Sequence, residues 1–119
     1  MMPAYTNKAG WEDVDYSSAE FQAMCAFYEE LGTELTASGE LVLTEGLGEP
    51  ALTRTIRRSD GGPVVSDGPY AESKEVLASF AILDCVSHDR ALAIAARVVD
   101  AIGDTVEIRP IGGDPAGQQ

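Results

Sequence analysis

Basic side chains are scarce in this chain: eight Lys and Arg stand against twenty Asp and Glu, a formal net charge of −12 over 119 residues. Contacts to phosphate need a basic face, so this balance excludes a nucleic-acid-binding surface and disfavours anionic membranes. Histidine occurs once, as His88, and cysteine twice, as Cys25 and Cys85, with no Cys-x-x-Cys spacing. That set falls short of the four ligands a structural zinc ion takes, and neither a metal nor a cofactor is expected. Each thiol sits among apolar neighbours and reads as a reduced core residue, which points to a cytoplasmic location. No apolar run approaches the roughly 20 residues that span a bilayer. The opening Met1-Met2-Pro3-Ala4-Tyr5-Thr6 lacks the apolar stretch of a secretory signal.

What is present suits one globular domain over residues 1–111, with 45% apolar side chains to build a core without staples. The Gly- and Pro-containing segment 112–119 has nothing to bury and reads as a flexible tail. A first helix is expected from a capping box at Ser17 and Glu20 to Gly39, with Phe21, Met24, Cys25, Tyr28, Leu31 and Leu35 forming one stripe. A second runs from a Ser87 cap to Ile102, its inner stripe Ala91, Ala95, Val98 and Ile102, flanked by Ile94 and Val99, with Gly103 as its stop.

Strands are expected at 41–44, at 51–58 and at 64–66, the last two joined by the Ser59-Asp60-Gly61-Gly62 hairpin signal. A further strand at 105–109 puts Val106 and Ile108 on one face and Glu107 and Arg109 on the other. Segment 77–86 is almost continuously apolar. Phe80 and Ile82 share one face, while Ala81, Leu83 and Cys85 share the other. Helices on one side of a sheet cover only one of those faces, and a chain this short has no second helical layer. With a first strand at the N-terminus the order is βαββαβ, an α+β ferredoxin-like sandwich with an antiparallel sheet and an inserted β-hairpin. The uncovered face predicts a homodimer through the sheet. In that order the first strand is central, where Pro3 removes a ladder bond. Either a bulge at Pro3 or missing upstream residues is expected there.

The stretch Val64-Val65-Ser66-Asp67-Gly68-Pro69-Tyr70-Ala71-Glu72-Ser73-Lys74-Glu75 resembles the signature of the YCII-related family, in the branch named for its Asp-Gly-Pro-Phe loop. Asp84, the Ala-rich helix and Val106-Glu107-Ile108-Arg109-Pro110 stand at the matching places, so the resemblance covers roughly residues 10 to 111. Three departures are evident: Tyr70 for the usual Phe, Ala78-Ser79-Phe80-Ala81 where the family often has two glycines and two tyrosines, and the weak opening strand. The resemblance implies a dimeric α/β barrel assembly.

Asp67 is the first candidate for chemistry, as an acid, base or ligand anchor; the bland alternative is an Asx-turn that fixes the loop. Tyr70, Glu72, Lys74, Asp84, Glu107 and Arg109 are candidate ligand-binding residues. Glu72, Lys74 and Glu75 read equally as a solvated charge run. Arg109 suits a bidentate carboxylate contact, or an ion pair with Glu107 or Asp84. His88, one residue past a helix cap, reads as a surface group, and Trp11 and Tyr5 as packing at a cleft mouth, with stacking on a ring-shaped ligand as the alternative. Arg54, Arg57 and Arg58 balance neighbouring acids. Three functions remain open: binding of a small acidic or aromatic molecule in a cleft near the Asp-Gly-Pro loop at a homodimer interface, a cofactor-independent lyase, isomerase or hydrolase with Asp67 as proton shuttle, and an interaction module associated with transcription regulation.

Overall fold

A computed structural model describes residues 1–7, 15–69 and 75–112. Its elements are β1 (Met2–Asn7), α1 (Ala19–Ser38), β2 (Leu41–Gly46), β3 (Arg54–Ser59), β4 (Gly62–Asp67), β5 (Glu75–Leu83), α2 (His88–Ile102) and β6 (Thr105–Val106). Four strands form one antiparallel sheet in the order β2-β5-β1-β6, while β3 and β4 form a separate two-stranded hairpin. This is the ferredoxin-like α+β arrangement with its hairpin insertion. No helix among the described residues is long and apolar enough to cross a membrane.

The core lies between the helices and one face of the sheet. Leu31 and Leu35 of α1 and Ile94, Ala95 and Val98 of α2 close on Met2 and Ala81. Ile94 is fully buried and is the centre of the α2 stripe rather than its flank. Along α1 the buried stripe is narrower than its apolar spacing implies, and Cys25 falls off its edge into solvent. The α1 cap is Ser18, whose hydroxyl accepts from the Phe21 N–H; Ser17 is instead engaged by Asp15. The capping box therefore gives way to a shorter, one-residue-shifted cap. Ser87 caps α2 as expected, accepting from the Arg90 N–H.

One irregularity sets the two faces of β5. Ala4 pairs with Ser79 and Tyr5 with Leu77, so Ala78 has no partner on β1. Its carbonyl accepts from the Leu47 N–H instead. Alternation carries Ser79 and Ala81 to the helix side and Phe80 and Ile82 to the outer side. The extra residue then shifts the frame, so that Val76 stays inside and Leu77 turns outward. The bulge that Pro3 was expected to carry lies in the neighbouring strand.

Pro3 itself is accommodated by direction. Its carbonyl accepts from the Glu107 N–H and the Met1 carbonyl from the Arg109 N–H, so the odd residues of β1 point to the β6 edge. The missing donor faces that edge rather than β5, and the regular β6 ladder is correspondingly only two residues long instead of the expected five. Residues 51 and 52, expected in a strand, wind into a 3₁₀ turn started by Pro50. Strand β5 ends at Leu83, before the expected 86, with one further bond in the β2 register from the Asp84 N–H to the Glu40 carbonyl.

The helices and strand β2 are clasped by one ion pair. Arg90 donates from Nε to Glu40 Oε2 at 2.8 Å and from Nη2 to Oε1 at 3.0 Å, and the Ser38 hydroxyl adds a third bond at 2.8 Å. The Glu40 side chain is only 15% exposed. These donors hold its carboxyl at about 2, against an ordinary 4.5. A depressed carboxylate stabilises the fold above its unfolded value and loses that contribution as pH falls through the folded one. The stability difference between the wild type and Glu40→Gln, followed by urea unfolding, is therefore expected to be constant above about pH 5 and to vanish towards pH 2. Ile94→Ala should cost about 2–5 kcal/mol in the same assay at neutral pH.

Candidate functional site

The structure distributes the candidate residues rather than gathering them. Asp67 ends β4 on the hairpin, where its carboxylate meets Arg54 Nε at 3.2 Å and its side chain is 88% exposed. The expected balancing of Arg54 by a nearby acid is thus present, and the Asx-turn is replaced by that pair. Tyr70, Glu72 and Lys74 lie outside the described residues, as does Trp11. Glu107 and Arg109 alternate outward from Val106 and Ile108, which pack on the core. They belong to different surroundings.

At one end of β1, Asp84, Cys85, His88, Ile108 and Arg109 line a pocket of about 200 Å³. Two candidates from distant parts of the chain, Asp84 and Arg109, line the same pocket, but among the described residues Arg109 forms no salt bridge with Asp84 or Glu107. The Cys85 thiol is pushed up, first by burial and then by the Glu40 carboxylate, with Arg90 opposing. A thiol so placed stays protonated and is a poor nucleophile.

The other end of β1 holds a larger cleft. It occupies about 750 Å³ on the outer face, where the hairpin base meets the sheet, and is lined by Tyr5, Leu47, Pro50, Leu52, Pro69 and Leu77, with Glu49 and Glu75 at its edge. Pro69 belongs to the Asp-Gly-Pro turn, so the loop named by its sequence does reach a cleft, through the proline rather than the aspartate. The turn is held by backbone bonds: the Gly68 N–H donates to the Thr53 carbonyl at 2.8 Å and the Thr55 hydroxyl to the Gly68 carbonyl at 2.7 Å. Gly68 sits at φ +88°, which a side chain would strain. No Lys or Arg among the described residues lines this cleft.

Tyr5 connects the cleft to β6. Its phenol is pushed up chiefly by the hydrogen bond it gives Glu107, then by burial and by that carboxylate's charge. Tyr5 therefore serves as a fixed donor and ring wall, not as a base. From the sequence Tyr5 is expected to pack at a cleft mouth or to stack on a ring-shaped ligand, with no partner for its phenol. The signal for more was its odd position on β1, which puts it on the same face as Glu107. Among the described residues no three His, Cys, Asp or Glu side chains are grouped to share a metal ion.

The outer face around the cleft is apolar. Leu43 and Leu77 are each 41% exposed, with Phe80 and Ile82 half-buried between the strands. The hairpin continues the surface with Ile56 and Val65, which pair across the strands and are 66% and 60% exposed.

Glu107→Gln should bring the Tyr5 phenol back towards its ordinary 10. An NMR-detected pH titration of ring-labelled tyrosine measures this, and an unchanged midpoint would contradict the pairing.

Comparison with known proteins places these features. Residues 4–112 match the YCII-related domain. A 59-residue segment is 44% identical to an uncharacterised protein of Rhizobium meliloti (strain 1021), and that match spans 48% of this chain and 48% of the relative.

Proposed function

The chain belongs to the YCII-related domain family, and from that membership we propose that it binds a small organic molecule in the outer cleft beside the Asp-Gly-Pro turn, as a homodimer that pairs through its sheet face. The observation that carries the reading is the cleft itself. Its volume of about 750 Å³ falls in the range of small-molecule sites, and its walls combine apolar side chains with a few polar groups at the rim. Tyr5 supplies a ring, and Leu77 and Pro69 supply apolar wall.

The charge of the rim selects among ligands. Glu49 and Glu75 stand at the edge, the chain carries −12 overall, and no described cation lines the cleft. An aromatic body with a neutral or cationic group fits that field better than an organic acid. A carboxylate would find Arg109 only at the far end of β1, in a pocket of about 200 Å³. Binding without turnover is the favoured reading, because Asp67 faces solvent and Arg54 rather than the cleft.

The second copy follows from the apolar outer face. Leu43, Leu77, Phe80 and Ile82 form a surface that water covers at a cost of about 25 cal/mol per Å² of apolar area. A lone two-stranded hairpin is marginal in water, so exposed Ile56 and Val65 also gain from a neighbour.

A matched pair of probes tests the reading. Tyramine and 4-hydroxyphenylacetate share a ring and differ in the sign of their charge. In calorimetry tyramine should bind more tightly, and Tyr5→Ala and Leu77→Asp should each weaken it by about tenfold or more. Tighter binding of the acid, or indifference to both variants, sinks the assignment. Light scattering should return twice the chain mass for the wild type and a single chain for Ile82→Asp.

A further inference from the structure

We infer that a second cavity, between α1 and the helix-side face of the sheet, is a binding site for an apolar or aromatic molecule that carries one hydrogen-bond donor, which Asp104 receives. This inference does not rest on the outer cleft. The cavity occupies about 620 Å³ and is walled by Phe21, Met24, Tyr28 and Leu31 from α1 and floored by Ala78 and Ala81 from β5.

Its origin is a mismatch of side-chain size along one helix. Near the C-terminal end of α1, Leu31 and Leu35 are buried against Met2 and Ala81. Towards the N-terminal end the helix presents large residues, Phe21, Met24 and Tyr28, that reach only half-burial. The strand beneath offers Ala78, Ser79 and Ala81, too small to meet them. The space opens to solvent beside Tyr16, and its several hundred Å³ match the size of small-molecule sites.

Thr44, Glu45 and Ser79 lend polar groups on the β2 side, and Asp104, Thr6 and Tyr28 form a second polar group at the end of β1. Asp104, just after the α2 stop at Gly103, lies where β1 runs out, beside the Thr6 hydroxyl that donates to it and near the Tyr28 phenol. Burial holds the Asp104 carboxyl above its ordinary value, with the Thr6 hydroxyl acting in the opposite direction. A carboxylate has about four acceptor positions. One is taken by Thr6, which leaves capacity for a donor arriving from the cavity. Tyr16 and Phe21, edge to face with ring centroids 5.0 Å apart, flank this same end where α1 begins. An occupant thus lays its apolar body towards Leu31 and Leu35 and keeps its donor at Asp104. A carboxylate or phosphate would meet Asp104 as a like charge and is excluded.

The test compares p-cresol with 4-methylanisole, which share a body and differ in the hydroxyl donor. Binding is followed through ¹³C-methyl signals of Met2 and Met24, which line the cavity, and of Leu77, which faces the outer side. Saturable shifts at Met2 and Met24, with p-cresol favoured by about fivefold or more, support the site. Asp104→Leu should abolish that preference while retaining binding of both compounds, and Met24→Trp should remove binding by filling the space. Should Met24→Trp fail to fold, the Asp104→Leu comparison decides alone. Shifts confined to Leu77, or equal affinity for the two probes, overturn the proposal. So does an absence of methyl shifts at Met2 and Met24.

Discussion

Two helices lie on one face of a four-stranded sheet whose central strands are apolar on both faces, and the remaining features follow from that imbalance. The inner face is consumed by Ile94, Val98, Leu31 and Leu35. The outer face keeps Leu43, Leu77, Phe80 and Ile82 at the surface. Without the unpaired Ala78, strict alternation would turn Leu77 inward with Ser79 and Ala81 and leave Val76 outside. The bulge thereby enlarges the outer apolar surface at the end where the hairpin departs. The same residue lies on the floor of the inner cavity. One inserted alanine shapes both faces.

Charge is arranged around this apolar frame at its margins. Among the described residues no charged side chain is buried, and the strongest pair, Glu40 with Arg90, closes the corner where α1 ends, β2 begins and α2 starts. Two parallel N–H···O bonds and a serine hydroxyl satisfy the Glu40 carboxylate, and its backbone carbonyl accepts from Asp84 at 2.7 Å. That last bond carries the β2–β5 pairing one residue past the strand, so Glu40 holds Asp84, which lines the Arg109 pocket, although the two are 44 positions apart in sequence.

Much of this frame was legible in the residues. The helices, their glycine stops, the hairpin turn, the faces of Phe80 and Ile82 against Ala81 and Leu83, and the split of Val106 and Ile108 from Glu107 and Arg109 all follow from periodicity. What periodicity does not carry is any extra residue in a ladder, because Ala78 looks like one more apolar position in an apolar run. The cap at Ser18 was hidden by an equally good box beginning at Ser17, and Asp15 decides between them by engaging Ser17. The site was less legible than the fold. Asp67, Asp84, Glu107 and Arg109 are chemically alike in being charged residues at strand ends. Only the sheet order reveals that the Asp-Gly-Pro turn and the pocket lined by Asp84 and Arg109 lie at opposite ends of β1, with Glu107 near the middle beside Tyr5. Tyr5 was expected at a cleft mouth, but its hydrogen bond to Glu107 was not legible, because the two residues lie on strands 102 positions apart.

The Asp-Gly-Pro turn illustrates how a motif contributes without its reactive-looking member touching a ligand. Asp67 spends its charge on Arg54, and the Arg54 guanidinium in turn donates from Nη1 to the Ala51 and Thr53 carbonyls at 3.3 and 3.0 Å. Thr53 receives the Gly68 N–H, and Thr55 binds the Gly68 carbonyl. Each contact ties the end of β4 to the start of β3, and together they fix where Pro69 emerges. Pro69 lines the cleft together with Pro50 and Leu52, and the two prolines have fixed φ. Neutralising Asp67 therefore acts first on the direction of the hairpin and only through it on the cleft. A carboxylate working as a proton shuttle would need the opposite placement, shielded from water and within bonding reach of the bound molecule.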